Sequence, residues 1–254
     1  MGFEPAGFSE GNCSGEQGCP RRYALIIPAC NEEESLPWVL KELREVLPEG
    51  LCEVFVGVNG SSDGTARVAE RHGAKTRQIS DRGYGFGCLA AVALAEESGG
   101  VFDGYLFVAA DGANDPRDIA ALVSAHQAGA GLVLGSRTLD PLNRRFLPLH
   151  YRWANRFFGF FCGLLTGRFF SDLGPLRLID RRVFGALALR EGTYGWTIEA
   201  QVRAARLGVK IAEVSVKERG RVAGEQKVSH VTWRRTWSVG LQILAAGIRA
   251  RFGA

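Results

Sequence analysis

A large excess of either sign of charge is absent from this 254-residue chain: 31 Lys and Arg against 27 Asp and Glu leave a net charge of +4. So slight a bias gives no reason to expect nucleic acid as a partner. Histidine is scarce, with four in all, and six cysteines are scattered at positions 13, 19, 30, 52, 88 and 162. No two have the Cys-x-x-Cys spacing of a zinc site, and a chain this long builds a core without disulfide staples, so the thiols are expected reduced in a cytoplasmic protein. The aromatic run from Phe157 to Leu165 falls well short of the ~20 apolar residues that cross a bilayer. Residues 1–20 have neither the basic start nor the apolar stretch of a signal peptide, and their Gly, Ser and Glu content predicts a disordered segment over 1–21.

What is present is enough apolar material, 46% of residues, for one substantial core. Tyr23–Pro28, Glu53–Val58, Tyr105–Ala110 and Gly131–Gly135 are short apolar runs bounded by turns, the pattern of buried strands. Between them, Glu33–Val46, Thr65–His72, Cys88–Glu97 and Pro116–Ala128 show helical spacing. Alternation of this kind predicts an α/β fold with a Rossmann-like, mostly parallel sheet and helices on both faces. Ligands of such sheets bind beyond the carboxyl ends of the strands, which places Cys30–Glu33, Asn59–Asp63, Asp111–Asp115 and Ser136–Arg137 around one crevice. The predicted organisation is one domain over 22–230 followed by an amphipathic helix over 231–254.

Motifs then narrow the reading. IIPACNEEESLPWVL (26–40), NGSSDGTARVAE (59–70), GYGFGCLAA (83–91), AADGANDP (109–116), LGSR (134–137), SDLGPLRLI (171–179), YGWTIEAQVRAARLG (194–208) and RVAGEQKVS (221–229) follow one another in order. Together they resemble the family-two glycosyltransferases, in particular the branch of dolichyl-phosphate mannose and glucose synthases. The resemblance covers about Tyr23 to Ser229 and implies a GT-A fold, a nucleoside-diphosphate sugar donor and a polyprenyl-phosphate acceptor. It also implies a divalent metal, Mg²⁺ or Mn²⁺, held by carboxylates and the diphosphate.

Residue by residue, each assignment has a plainer alternative. Pro28, Asn31, Glu32, Asn59, Ser61, Asp63, Gly85 and Asp111 are the candidate donor-nucleotide contacts. Asn31 equally serves as a helix cap, and Ser61 with Asp63 as an Asx-type turn. Asp111 and Asp115 are the candidate metal ligands, and an Asp at a strand end is also a common helix cap. Arg137, Arg219, Arg221 and Lys227 are the candidate phosphate contacts; a guanidinium grips phosphate through two parallel hydrogen bonds, but it also makes surface ion pairs. Asp172 and Glu199 are the candidate catalytic carboxylates, with an ion pair from Glu199 to Arg203 at i+4 as the alternative. An anionic phosphate acceptor needs no strong base, whereas a hydroxyl acceptor needs one of these carboxylates as its base.

Two departures from the family pattern stand out. Val58 occupies the position where the relatives carry an Asp for the nucleobase, and Ala109 replaces the first Asp of Asp-x-Asp. They leave room for a non-catalytic binding protein, and a soluble small-molecule acceptor is the other alternative. Trp233, Trp237, Leu241, Ile243, Leu244 and Ile248 with Arg234, Arg235, Arg249 and Arg251 suit a helix lying on a bilayer. The aromatic segment Tyr151–Phe161 suits either a second membrane-facing patch or an interface, as in a homodimer. The expectation is an inverting sugar transfer to polyprenyl phosphate, peripheral at the inner face of the cell membrane.

Overall fold

The computed structural model describes residues 21–147, 149–223 and 233–253. The segment 1–20 and Lys227, both singled out by the sequence, lie outside the described residues. Seven strands form one sheet in the order β3-β2-β1-β4-β6-β5-β7. They are β1 (Tyr23–Ala29), β2 (Cys52–Asn59), β3 (Lys75–Ile79), β4 (Gly104–Phe107), β5 (Leu132–Ser136), β6 (Arg177–Asp180) and β7 (Ile211–Ser215). All neighbours are parallel except β6, which runs antiparallel to both β4 and β5. Strand β1, inside the sheet between β2 and β4, is buried along its whole length, so it reads as a continuous apolar run without alternation.

Helices α1 (Leu36–Val46), α2 (Thr65–Arg71) and α4 (Ile119–Gln127) supply one apolar layer, packed on Leu25, Ile27, Val56 and Leu106. The opposite layer comes from α3 (Tyr84–Glu97), α5 (Leu149–Thr166), α6 (Arg181–Leu187), α7 (Trp196–Arg206) and α8 (Trp233–Phe252). It closes over Ile26, Phe55, Phe107 and Trp196. Helix α8 belongs to that layer: Ala246 and Ala250 are buried, Arg206 donates to the Ala250 carbonyl at 2.6 Å, and Arg251 to that of Leu165 at 2.8 Å. Among the described residues, no helix is long and apolar enough to cross a membrane.

Two strands carry little signal in the sequence, and a third ends earlier than expected. β3 reads KTRQI, a polar strand suited to a sheet edge, where charge discourages pairing with other chains. β6 has four residues and begins on a fully buried arginine. Its last residue, Asp180, caps α6 by accepting from the amides of Arg182 and Val183 at 2.9 and 3.2 Å. The strand expected to extend to Ala110 instead ends at Phe107, which frees residues 108–115 to form the loop carrying Asp111.

Candidate active site

The carboxyl ends of β1 and β2 are joined by a side-chain lattice. Asn31 sits in the left-handed region at φ 53°, a conformation that Asn tolerates better than most residues. Its amide donates to Ser61 Oγ at 2.9 Å and its Oδ1 accepts from the Ser62 amide at 2.8 Å. Glu32 donates its amide to Thr65 Oγ1 at 2.9 Å, and Asp63 Oδ2 accepts from the Glu33 amide at 3.2 Å. Asn31, Ser61 and Asp63 therefore lock two loops together, and the Glu32 carboxylate lies buried between them, accepting from Ser35 Oγ at 2.6 Å. Asn59 is buried beside Pro28 and donates to the Gly83 carbonyl at 2.9 Å.

Gly85, a candidate nucleotide contact, lies in the first turn of α3. Its amide donates to the Thr193 carbonyl at 3.3 Å, and the neighbouring Phe86 amide to that of Gly192 at 2.8 Å. The loop before α7 thus caps this helix, and these amides are committed. Glycine is needed because a β-carbon at 85 would fall 2.1 Å from the Glu191 carbonyl oxygen.

Beyond β4, Asp111 Oδ1 accepts from the Ala113 amide at 3.0 Å, and its Oδ2 lies 3.6 Å from Arg221 Nη1. Arg221 also donates to the Glu32 carboxylate, so one guanidinium bridges the ends of β1 and β4. Asp115 corrects the expectation of a second metal ligand. It caps the 3₁₀ turn Pro116–Asp118 and is held bidentately by Arg117 at 2.8 and 3.0 Å. Burial works against its charge, yet the bonds from Arg117 outweigh it and lower its pKa. Arg219 is likewise turned away from the crevice. It grips Glu42 on α1 at 2.6 and 2.8 Å and donates to the carbonyls of Gly112 and Asn114.

Arg137, at the end of β5, forms a bidentate pair with Asp172 at 2.8 and 2.9 Å, reinforced by its own amide at 2.9 Å. The Asp172 side chain is 1% exposed, so it stands as a buried anchor for Arg137 and not as an open base. Glu199 is also buried and occupied. It accepts from the amides of Arg190 and Glu191 at 3.1 and 2.8 Å and pairs with Arg203 at 3.0 Å, the i+4 partner.

Two residues without a motif of their own complete the site. Glu218 Oε1 lies 3.6 Å from Arg137 Nη1, while the buried Oε2 has no hydrogen-bond partner among the described residues. Burial pushes its pKa up to about 7; Arg137 opposes the rise, and Asp111 and Asp172 add to it. Asn143, buried in the 3₁₀ turn Pro141–Arg145, donates to the carbonyls of Arg137 and Val216 at 2.7 Å each and accepts from the Glu218 amide at 2.8 Å. Among the described residues two of the candidate phosphate contacts are each shared by two carboxylates: Arg221 by Glu32 and Asp111, Arg137 by Asp172 and Glu218. Even with Arg177, buried behind Asp172, carboxylates outnumber guanidinium groups.

Comparison with known proteins gives a consistent picture. The profile described as glycosyl transferase family 2 matches residues 24–187. An uncharacterized glycosyltransferase of Mycobacterium tuberculosis is 34% identical over 215 residues, covering 81% of this chain and 88% of that one. An undecaprenyl-phosphate mannosyltransferase of Micrococcus luteus is 28% identical over 256 residues, covering 91% and 99%. Among solved structures, glucosyl-3-phosphoglycerate synthase of M. tuberculosis in complex with Mn²⁺, uridine diphosphate and phosphoglyceric acid superposes with a TM-score of 0.67. It is 21% identical, covering 92% of this chain and 79% of that one.

Proposed function

The chain belongs to glycosyl transferase family 2, and from that premise we propose that it moves a sugar from a nucleoside diphosphate to a polyprenyl phosphate at a membrane surface. The observation that carries the acceptor is the outer face of α5. Trp153, Phe157, Phe160 and Leu164 recur at intervals of four, three and four residues, which makes one stripe, and all are more than half exposed. Arg152, Arg156 and Arg145 stand exposed beside them. Aromatic rings flanked by arginine suit the boundary between acyl chains and anionic headgroups. A soluble acceptor leaves such a stripe without a use, and the relative from M. luteus is named for a polyprenyl acceptor.

In the proposed reaction a phosphate oxygen of the acceptor attacks the anomeric carbon. The bond from that carbon to the donor diphosphate breaks, and the nucleoside diphosphate leaves with the electron pair. The attacking oxygen is already anionic, so a buried, paired Asp172 is compatible with turnover. Arg221 exchanges its carboxylates for the diphosphate, and Arg137, held by Asp172, faces the phosphates from the β5 side. Asn31, Ser61 and Asp63 fix the loop that meets the nucleoside, with the Glu32 carboxylate beneath it. Val58 is buried in the core, so the base is recognised without a carboxylate at that position.

The residues present fit a divalent ion, Mg²⁺ or Mn²⁺. Carboxylates exceed guanidinium groups, and among the described residues Glu218 Oε2 is an unpartnered buried acceptor. Asp111 would hold the ion, which would neutralise the leaving diphosphate. The test is incubation of the full chain with labelled GDP-mannose, UDP-glucose or related donors and undecaprenyl phosphate in anionic vesicles. A labelled, chloroform-soluble glycosyl lipid is expected. Sugar transfer to a soluble phosphorylated acceptor such as phosphoglycerate, with none to lipid, overturns the acceptor.

A further inference from the structure

We infer that Glu218, from the segment after β7, supplies the second protein ligand of the divalent cation and takes over the place left by Ala109. The inference rests on the reading of this crevice as a sugar-diphosphate site. Segments 111–114 and 218–222 run side by side: the Arg219 amide donates to the Ala113 carbonyl at 2.9 Å, the Val222 amide to the Asp111 carbonyl at 3.1 Å, and Asn114 bridges to Glu218. Asn143 holds the Glu218 backbone by accepting from its amide, and the carboxylate faces Arg137, a guanidinium already paired with the bidentate Asp172.

A buried carboxylate oxygen with no donor is a costly arrangement, and a bound cation relieves it. The other carboxylates of the crevice are engaged: Asp172 by Arg137, Glu32 by Ser35 and Arg221, and Asp115 by Arg117. Among the described residues the buried Oε2 of Glu218 has no donor, and the Asp111 charge is felt at this carboxylate. A hard divalent cation takes oxygen ligands, commonly one or two carboxylates with the phosphates of the substrate. Asp111 and Glu218 with a diphosphate make such a set. The glutamate lies 109 positions from the alanine in the chain, so no Asp-x-Asp pattern can reveal it.

The test is Mn²⁺ binding to metal-stripped full-length protein, followed by loss of the free-ion electron paramagnetic resonance signal, with and without GDP or UDP. Wild type is expected to bind Mn²⁺ more tightly with the nucleotide present. Glu218→Gln, close in shape, and Glu218→Ala are expected to weaken that binding by at least about tenfold, as loss of a metal-site partner does. Ala109→Asp in the Glu218→Gln background is expected to restore it. Far-UV circular dichroism and a thermal melt show whether the variants are folded. Glu218→Gln that folds and keeps wild-type Mn²⁺ affinity overturns the assignment, even if it loses transfer. So does a wild type that takes up no Mn²⁺ with either nucleotide. Absence of glycosyl lipid from wild type while Mn²⁺ affinity falls in Glu218→Gln sinks only the acceptor reading.

Discussion

Replacing Arg137 by methionine removes the guanidinium while keeping the apolar stem. Asp172, 1% exposed at its side chain, then loses both bidentate bonds. Breaking a buried pair by deleting one partner costs about 3–5 kcal/mol, because the surviving charge is stranded away from water. The Arg137 amide still donates to Asp172 at 2.9 Å, which argues for the lower end, about 3 kcal/mol. In a domain of this size each kcal/mol moves the midpoint by roughly 2–4 °C, so Arg137→Met is expected to melt about 6–12 °C below wild type. Converting the pair to apolar groups, Arg137→Met with Asp172→Leu, should recover most of the stability, since a buried pair is often replaceable by packed hydrocarbon. That double variant should still bind nucleoside diphosphate poorly, because the cation proposed to face the phosphates is gone. Thermal and urea denaturation at pH 7.5, with calorimetric nucleotide titration, measure all three quantities. A single variant melting within about 2 °C of wild type at pH 7.5 would refute the account of Asp172 as an anchor that needs Arg137.

Other expectations follow from the same geometry. Glu218 has a pKa of about 7 in the folded chain against an ordinary 4.5, so between these values the folded chain keeps a proton that the unfolded chain has released. Metal-free protein should therefore lose stability as pH rises through that window, by up to about 3 kcal/mol, and Glu218→Gln should flatten the slope in urea titrations. Trp153→Ala with Phe157→Ala removes two exposed rings from the α5 stripe. Losing about 1 kcal/mol of partial insertion per ring should lower partition onto phosphatidylglycerol vesicles roughly 30-fold in co-sedimentation, with the fold unchanged. Unchanged partition removes this face from the membrane. Gly85→Ala places a β-carbon 2.1 Å from the Glu191 carbonyl, so the loop capping α3 must shift. A loss of about 1–3 kcal/mol is expected in thermal melts, and wild-type stability would disprove the close approach.

Much of the fold was legible in the chain because its signals are local. A continuous apolar run such as Tyr23–Pro28 followed by helical spacing specifies strand and helix within a dozen residues, and repeated alternation of the two specifies a parallel sheet. The crevice followed from the same logic, since loops at the carboxyl ends of parallel strands share one edge. The elements that escaped notice, β3 and β6, are short and polar or begin on a buried arginine, so no apolar pattern marks them. The pairing of Glu199 with Arg203 was legible from its i+4 spacing, whereas Asp115 and Arg219 were legible as charged groups near that edge but not as partners of Arg117 and Glu42.

By itself, then, the sequence determined the order of strands and helices, the family, and which loops meet at the crevice, because each depends on neighbours a few positions apart or on a motif read in line. Only the tertiary structure decided how the charges are shared. Arg137 finds Asp172 35 positions away, Arg219 finds Glu42 177 away, and Arg221 finds Glu32 189 away. The position of Glu218 against Arg137 was decided in the same way. Ion pairing and burial depend on distance in space, and β6, entering antiparallel between β4 and β5, helps bring those distant segments to one edge.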